Sequence, residues 1–142
     1  MICSCDMIMQ RVRAIITNDK FLLTIKRLKD GEIYWVFPGG GVGDGENHEQ
    51  ALMRECLEEL GVEVKVRKLF HEDFFGNREF GKQKEFFYLC KIVGGKLGTG
   101  AGQEWQENSK CEGTREIQWL EIAKLDDFDL RPKVLKDKIL SL

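Results

Sequence analysis

Apolar residues along this chain follow a period of two in some stretches and of 3.6 in others, and the changes mark its elements. Gln10 to Thr17, QRVRAIIT, and Phe21 to Arg27, FLLTIKR, read as paired strands around a tight turn at Asn18-Asp19-Lys20. Tyr34 to Phe37 reads as a short apolar strand, ended by Pro38 and the glycines that follow. Asn47 is a suitable N-cap, and Gln50 three residues on completes a capping-box pattern. A helix is therefore predicted from there to Leu60, with Gly61 as its C-terminal stop. On a helical wheel Leu52, Cys56, Leu60, Met53 and Leu57 share one arc, and Glu55, Glu58 and Glu59 are assigned to the opposite one.

Beyond the helix, Val62 to Phe75 and Lys84 to Val93 read as two long strands separated by a turn-rich stretch around Gly76-Asn77. Gly94 to Lys110 is glycine-rich and polar and reads as a loop, and Arg115 to Glu121 as another strand. Arg131 to Leu140 is predicted to be a short helix, with Pro132 near its first position, where a missing N–H does no harm. No repeat or interdomain linker interrupts the 142 residues, a length that suits a single domain, 1–142, with a real core. Strands on both sides of one central helix predict an α/β fold, a mixed sheet layered with helices.

The central helix also carries the chemistry. At about 100° per residue, Glu58 and Glu59 fall about 60° and 40° to either side of Glu55. Three like charges so close repel one another unless solvent, a base or a cation relieves them. Hard divalent cations such as Mg²⁺ and Mn²⁺ prefer oxygen ligands of this kind.

Composition narrows the function classes. The chain is 42% hydrophobic and 32% charged, ordinary for a soluble globular protein. Its net charge of −2 offers no electrostatic case for binding a nucleic acid polymer. An anionic nucleotide remains compatible, because a bound cation inverts the local sign. No apolar run approaches the roughly 20 residues of a membrane span. The start, Met1-Ile2-Cys3-Ser4-Cys5-Asp6, lacks the apolar core of a signal peptide. Five cysteines, an odd count, are expected as free thiols in a reducing cytoplasm. Cys3-x-Cys5 finds no well-spaced partners for a soft-metal site, and His48 and His71 stand isolated.

The stretch Gly40 to Val62, GGVGDGENHEQALMRECLEELGV, resembles the Nudix box, the signature of the Nudix hydrolases. Gly40, Glu46, Arg54, Glu55, Glu58, Glu59, Gly61 and Val62 all fall at the required spacing. Cys56 stands where the family usually has an aliphatic residue, and cysteine serves as a small buried hydrophobe. Trp35-Val36-Phe37-Pro38-Gly39-Gly40 resembles the usual lead-in, and Trp119-Leu120 a later strand.

The resemblance implies an α/β/α sandwich with the box helix packed on a mixed sheet. It implies attack of water on a phosphorus atom of a nucleoside diphosphate linked to another group, with Mg²⁺, or Mn²⁺, as cofactor. Glu55, Glu58 and Glu59 match the metal-binding and catalytic glutamates, with Glu58 one base for the attacking water. A carbonyl ligand is expected at Gly40, and close backbone approach to phosphate at Gly39. Arg54 matches the arginine that orients the glutamates, and Glu46 is expected to pin the glycine loop through it. A further carboxylate from a loop ahead of a late strand is assigned to Glu112, with Glu116 and Glu104 as rivals. Arg27 resembles a basic residue that contacts substrate phosphate. Phe74, Phe75, Phe80, Phe86, Phe87 and Tyr88 are expected mostly in the core.

A nucleotide-sensing module without catalysis is the competing class, but it has no need of every box acid. Among substrates, nucleoside triphosphates, normal or oxidised, are favoured. The proline that marks many ADP-ribose enzymes beyond the box is missing, as are other accessory motifs. ADP-ribose or a nucleotide sugar is the alternative. The expected partner is this small-molecule nucleotide, with no nucleic acid polymer and no membrane, in a monomer or homodimer.

Overall fold

The structure, a computed structural model, describes residues 8–77, 81–100 and 113–142. In chain order the described elements are β1 (Met9–Asn18), β2 (Phe21–Lys29), β3 (Glu32–Val36), β4 (Gly39–Gly41), α1 (His48–Leu60), β5 (Val62–Asn77), β6 (Gly81–Gly95), β7 (Thr114–Glu121), β8 (Leu130–Arg131) and α2 (Val134–Leu140). A 3-10 helix, Ile122–Asp127, joins β7 to β8.

Two tight turns start the sheet. Asn18 pairs with Phe21, leaving Asp19 and Lys20 as the loop, and Asp19 takes the left-handed φ of 54° that aspartate tolerates. Lys29 pairs with Glu32 around Asp30-Gly31, whose φ values of 53° and 79° suit a type I′ hairpin. This Asp-Gly turn starts β3 at Glu32, before the expected Tyr34. The strand ends at Val36, one residue earlier than expected.

The strands form one mixed sheet in the order β5-β6-β1-β2-β3-β8, with β4 added on β1 and β7 on β2. β1 is the junction. It runs parallel to β6 from Met9 to Ile16, antiparallel to β4 at Arg11 to Arg13, and meets β2 only at its last residues. Three register shifts in the β5–β6 pair add to the curl.

Side-chain alternation divides the core into two layers. Val12, Ala14 and Ile16 of β1 join Leu23, Ile25, Val62 and Val64 beneath Ala51, Leu52, Cys56 and Leu60 of α1. On the other face Ile15, Leu22, Phe37, Phe87 and Leu120 pack with Leu125, Leu130 and the α2 residues Leu135 and Ile139. The expected α/β/α layering is therefore present. Each fully buried leucine or isoleucine contributes about 1.5–3 kcal/mol. Burial pushes the Cys56 and Cys90 thiols upward, Cys90 to about 12, so both remain thiols in the core.

Four expectations need correction. The β5–β6 ladder runs on through Gly76 and Asn77, which pair with Lys82 and Gly81 where a turn was expected. Met53 and Leu57, placed by the wheel on the packed arc, are exposed, and Glu59, placed opposite, is 93% buried with 7% exposure. The stripe that meets the sheet is narrow. Glu59 stands seven residues after Leu52, which returns it to within about 20° of that leucine. The terminal helix begins at Val134, not Arg131, because Leu130 and Arg131 pair in parallel with Trp35 and Val36 and Leu130 enters the core. Gly39–Gly41, read as the end of the strand before it, forms a strand of its own against β1.

Candidate active site

α1 begins as its sequence directs. The Asn47 side chain accepts from the Gln50 N–H at 2.8 Å, and the Gln50 side chain accepts from the Asn47 N–H at 3.0 Å. Gly61 ends it at φ 80°, donating to the Cys56 and Leu57 carbonyls. His48, the first helical residue, lies between the Tyr88 hydroxyl at 2.6 Å and the Gln10 side-chain oxygen at 2.7 Å, and burial lowers its pKa. The helix start is thus fixed against β1 and β6, its end accepts bonds from the Lys96 and Gly98 N–H groups at 3.1 and 3.0 Å, and the glutamates between inherit that placement.

Arg54 gathers the acids. Its Nε and Nη2 donate to the two oxygens of Glu46 at 2.7 and 2.9 Å, a bidentate pair. Its Nη1 reaches Glu55 at 2.9 Å and Glu58 at 3.3 Å, and Nη2 also donates to the Gly41 carbonyl at 3.1 Å. Glu46 accepts a further bond from the Gly43 N–H at 2.7 Å. Hydrogen bonding from Arg54, then from Gly43, pulls Glu46 from the usual carboxylate range down to about 2. The Arg54 pKa is raised, chiefly by Glu46, so this guanidinium remains charged.

The glycine strand faces this cluster. Gly39 donates its N–H to Glu59 Oε1 at 2.9 Å, a buried bond between β4 and α1. Gly39 has φ 144°, and a Cβ there would collide with the Val12 carbonyl. At Gly40 a Cβ would lie 2.6 Å from the Glu55 carboxylate. Of the three glutamates bonded to Arg54, Glu58 is the most open, its side chain 45% exposed against 21% for Glu46 and 15% for Glu55.

A cleft of about 350 Å³ opens beside Glu59, lined also by Gly98, Gly100, Arg115, Glu116 and Ile117. Arg27 pairs across β2–β7 with Arg115, and its Nε donates to the Thr114 carbonyl at 3.3 Å. Strand alternation puts Arg27 on the face of Leu23 and Ile25, the side covered by α1. Glu116 lines the cleft, whereas Glu112, its rival Glu104, and Cys3, Cys5 and Phe80 lie outside the described residues. Phe87 lies in the core layer on the α2 side, Phe86 and Tyr88 pack against the layer under α1, and Phe74 is exposed beside Lys84.

Sequence reasoning passed over Arg11, Arg13 and Glu85. Arg13 bonds Glu85 at 2.8 Å and the Phe37 and Gly39 carbonyls at 3.0 and 3.3 Å. Arg11, its pKa lowered mainly by burial, feels the charges of Glu85, Glu55 and Glu59. The signal was legible in the alternation RVRA: charges at every second position of a strand flanked on both sides need partners.

The donor set suits a hard divalent cation. All three carboxylates are oxygen donors, and the Gly40 backbone forms a cradle against Glu55 that any side chain would fill. Among the described residues no three acidic, histidine or cysteine side chains converge as a ready chelate. Arg54 and the Gly39 N–H hold the carboxylates instead.

The NUDIX domain family profile matches residues 7–139. The chain belongs to the NUDIX domain family. It is similar to the RNA pyrophosphohydrolase of Wolbachia sp. subsp. Drosophila simulans (strain wRi), 58% identical over 77 residues, covering 46% of this chain and 48% of that protein. The chain thus spans about half the length of that curated relative. It is also similar to the nucleoside triphosphatase NudI of Escherichia coli O139:H28, 28% identical over 123 residues, covering 82% of this chain and 84% of the other. Among solved structures, a NUDIX hydrolase from Nitrosomonas europaea superposes with a TM-score of 0.73 at 20% identity, covering 95% of this Nudix chain and 87% of its own. A MutT structure, from a study of the Aliivibrio salmonicida and Vibrio cholerae proteins, gives 0.67 at 24% identity, covering 94% and 97%. These likenesses show the fold. Among the described residues no helix is long and apolar enough to cross a membrane.

Proposed function

We propose that this Nudix chain is a metal-dependent pyrophosphohydrolase that converts a nucleoside triphosphate, normal or oxidised, to nucleoside monophosphate and pyrophosphate. The observation that carries this reading is the convergence of Arg54 on Glu46, Glu55 and Glu58 while Gly39 holds Glu59 beside the cleft. Glu55, Glu58, Glu59 and the Gly40 carbonyl would hold Mg²⁺ or Mn²⁺. When bound, the ion supplies charge neutralisation at phosphate oxygens and lowers the pKa of a bound water.

The chain's own groups do the rest. Arg27 and Arg115 on the cleft side of the sheet attract the polyphosphate. Arg54 restrains the glutamates, so little reorganisation is needed during reaction. Water oxygen bonds to phosphorus, the bridging P–O bond breaks, and pyrophosphate leaves. Glu58, the most open of the three glutamates bonded to Arg54, takes the water's proton. Glu112 is the expected additional carboxylate.

Similarity to a protein named nucleoside triphosphatase supports the free nucleotide as substrate. A second reading, removal of pyrophosphate from a 5′-triphosphate RNA end, has support from the segment 58% identical to a protein named RNA pyrophosphohydrolase. Both involve the same bond. The test is product identification with Mg²⁺ across triphosphates, oxidised triphosphates, 5′-triphosphorylated RNA, ADP-ribose, nucleotide sugars and dinucleoside polyphosphates. Monophosphate plus pyrophosphate from the free triphosphates is expected. A kcat/KM for ADP-ribose ten times that of every triphosphate, about 1.4 kcal/mol of transition-state stabilisation, would overturn the substrate class.

A further inference from the structure

The glycine strand that meets the box helix is held by a side chain of the strand beneath it. Arg13 donates from Nη1 to the carbonyls of Phe37 and Gly39, at 3.0 and 3.3 Å, and so spans both sides of Pro38. Its Nε is engaged by Glu85 at 2.8 Å, which orients the guanidinium. The side chains of this pair are only 17% and 14% exposed, so solvent screens it less than a surface contact.

The placement of this segment passes directly to the box. Gly39 donates its N–H to Glu59, and Gly40 abuts the Glu55 carboxylate. β4 has only three residues, paired with Arg11, Val12 and Arg13 of β1, and a further bond runs from the Ala14 N–H to the Pro38 carbonyl at 2.8 Å. So short a ladder leaves freedom to slide or tilt. Charge-assisted bonds to the Gly39 carbonyl and to that of Phe37 just before the strand remove that freedom at the point where two box glutamates rest on it. A displacement well under 1 Å at Gly39–Gly40 would carry the Glu59 and Glu55 oxygens with it.

We propose that Arg13, oriented by Glu85, is a positioning residue that sets the Phe37–Gly40 segment against the box glutamates and thereby sets the affinity of the site for a divalent cation. It acts through Gly39 and Gly40 and does not touch substrate. Its effect on turnover rests on the proposed function. Its effect on cation affinity is read separately.

The experiment compares the wild-type chain with Arg13→Gln, Arg13→Lys and Glu85→Gln. Mn²⁺ dissociation constants come from electron paramagnetic resonance of the free ion, and folding is checked by circular dichroism. Arg13→Gln is expected to weaken Mn²⁺ binding on the order of 10-fold, as loss of a group supporting metal ligands does. Amide exchange at Gly39 and Gly40 should accelerate. Glu85→Gln should move both readouts in the same direction but less. Arg13→Lys should recover part of the affinity, because an ammonium keeps one of the bonds without the fork. At saturating Mn²⁺, KM should stay within about twofold while kcat falls.

An unchanged Mn²⁺ affinity in folded Arg13→Gln overturns the proposal. So does a raised KM with unchanged Mn²⁺ affinity, which would assign Arg13 to direct substrate contact across the neighbouring cavity of about 130 Å³. Should Arg13→Gln not fold, Arg13→Lys and Glu85→Gln decide by the same Mn²⁺ criterion. A wild-type chain that binds Mn²⁺ but hydrolyses no triphosphate defeats the functional reading and leaves this one to the Mn²⁺ comparison. A wild-type chain that binds no Mn²⁺ overturns both.

Discussion

The backbone of Gly40 rests against the carboxylate of Glu55 so closely that a Cβ at Gly40 would fall 2.6 Å from Glu55 Oε2. The neighbouring Gly39 meets backbone instead, the carbonyl of Val12, and has φ 144°. These adjacent glycines therefore predict different failures. In Gly40→Ala the flexible end of Glu55 swings away and the fold survives, but turnover falls on the order of 10²-fold, as misplaced catalytic groups cause. In Gly39→Ala the main chain of β1 or β4 must shift, costing about 3 kcal/mol of stability. Urea unfolding and steady-state kinetics on both variants check this. Equal stability losses would contradict it.

Glu58 and Glu59 are adjacent in sequence but differ in surroundings, so their glutamine variants should separate activity from stability. Glu58→Gln changes an open side chain and should leave stability within about 0.5 kcal/mol of wild type. Its turnover should fall on the order of 10²-fold through loss of the proton acceptor. Glu59→Gln keeps an oxygen for the Gly39 N–H but brings two new donors into a buried position. It should also cost about 1 kcal/mol of stability. Turnover like wild type in both variants would remove these residues from the site.

Glu46 titrates at about 2 in the folded chain against an ordinary 4.5, chiefly through Arg54. A depressed folded pKa means that the ionised carboxylate favours the fold. Its contribution is complete above pH 4.5 and disappears as pH falls toward about 2. Glu46→Gln should therefore flatten the decline of unfolding free energy across this window. The measurement is a series of urea unfolding curves from pH 6 to pH 2. Parallel declines in the two proteins would show that Arg54 does not hold Glu46 in this way.

How much of this was legible depends on whether the cause is local. The box helix was: Asn47, Gln50 and Gly61 act within a turn of themselves, and the structure has the capping box and the left-handed stop that they predict. Strands on either side of one amphipathic helix gave a mixed sheet layered with helices, and the resemblance of the box implied the α/β/α arrangement. The Asp30-Gly31 turn was also local and went unread, although two positive φ values favour that pair. Glu59 was readable in part. Its spacing of seven from Leu52 puts it on the buried stripe, but its charge argued for the outside.

Tertiary structure alone decided what sits against the box. Glycines carry no side-chain pattern, so nothing in Gly39-Gly40-Gly41 announces a strand. β1 makes it one by pairing along its free edge. The bond from Gly39 to Glu59 and the reach of Arg13 to two carbonyls depend on that close approach, and the pairing of Arg13 with Glu85 across 72 positions of sequence depends on the parallel pairing of β1 with β6. The alternation of Arg11 and Arg13 marks charges in need of partners but not which partners, because each contact joins residues that only the closed sheet brings together. The residue types of the Arg54–glutamate cluster are thus written in one 23-residue stretch. What meets that cluster, the glycine strand paired on β1, comes only from the closed sheet.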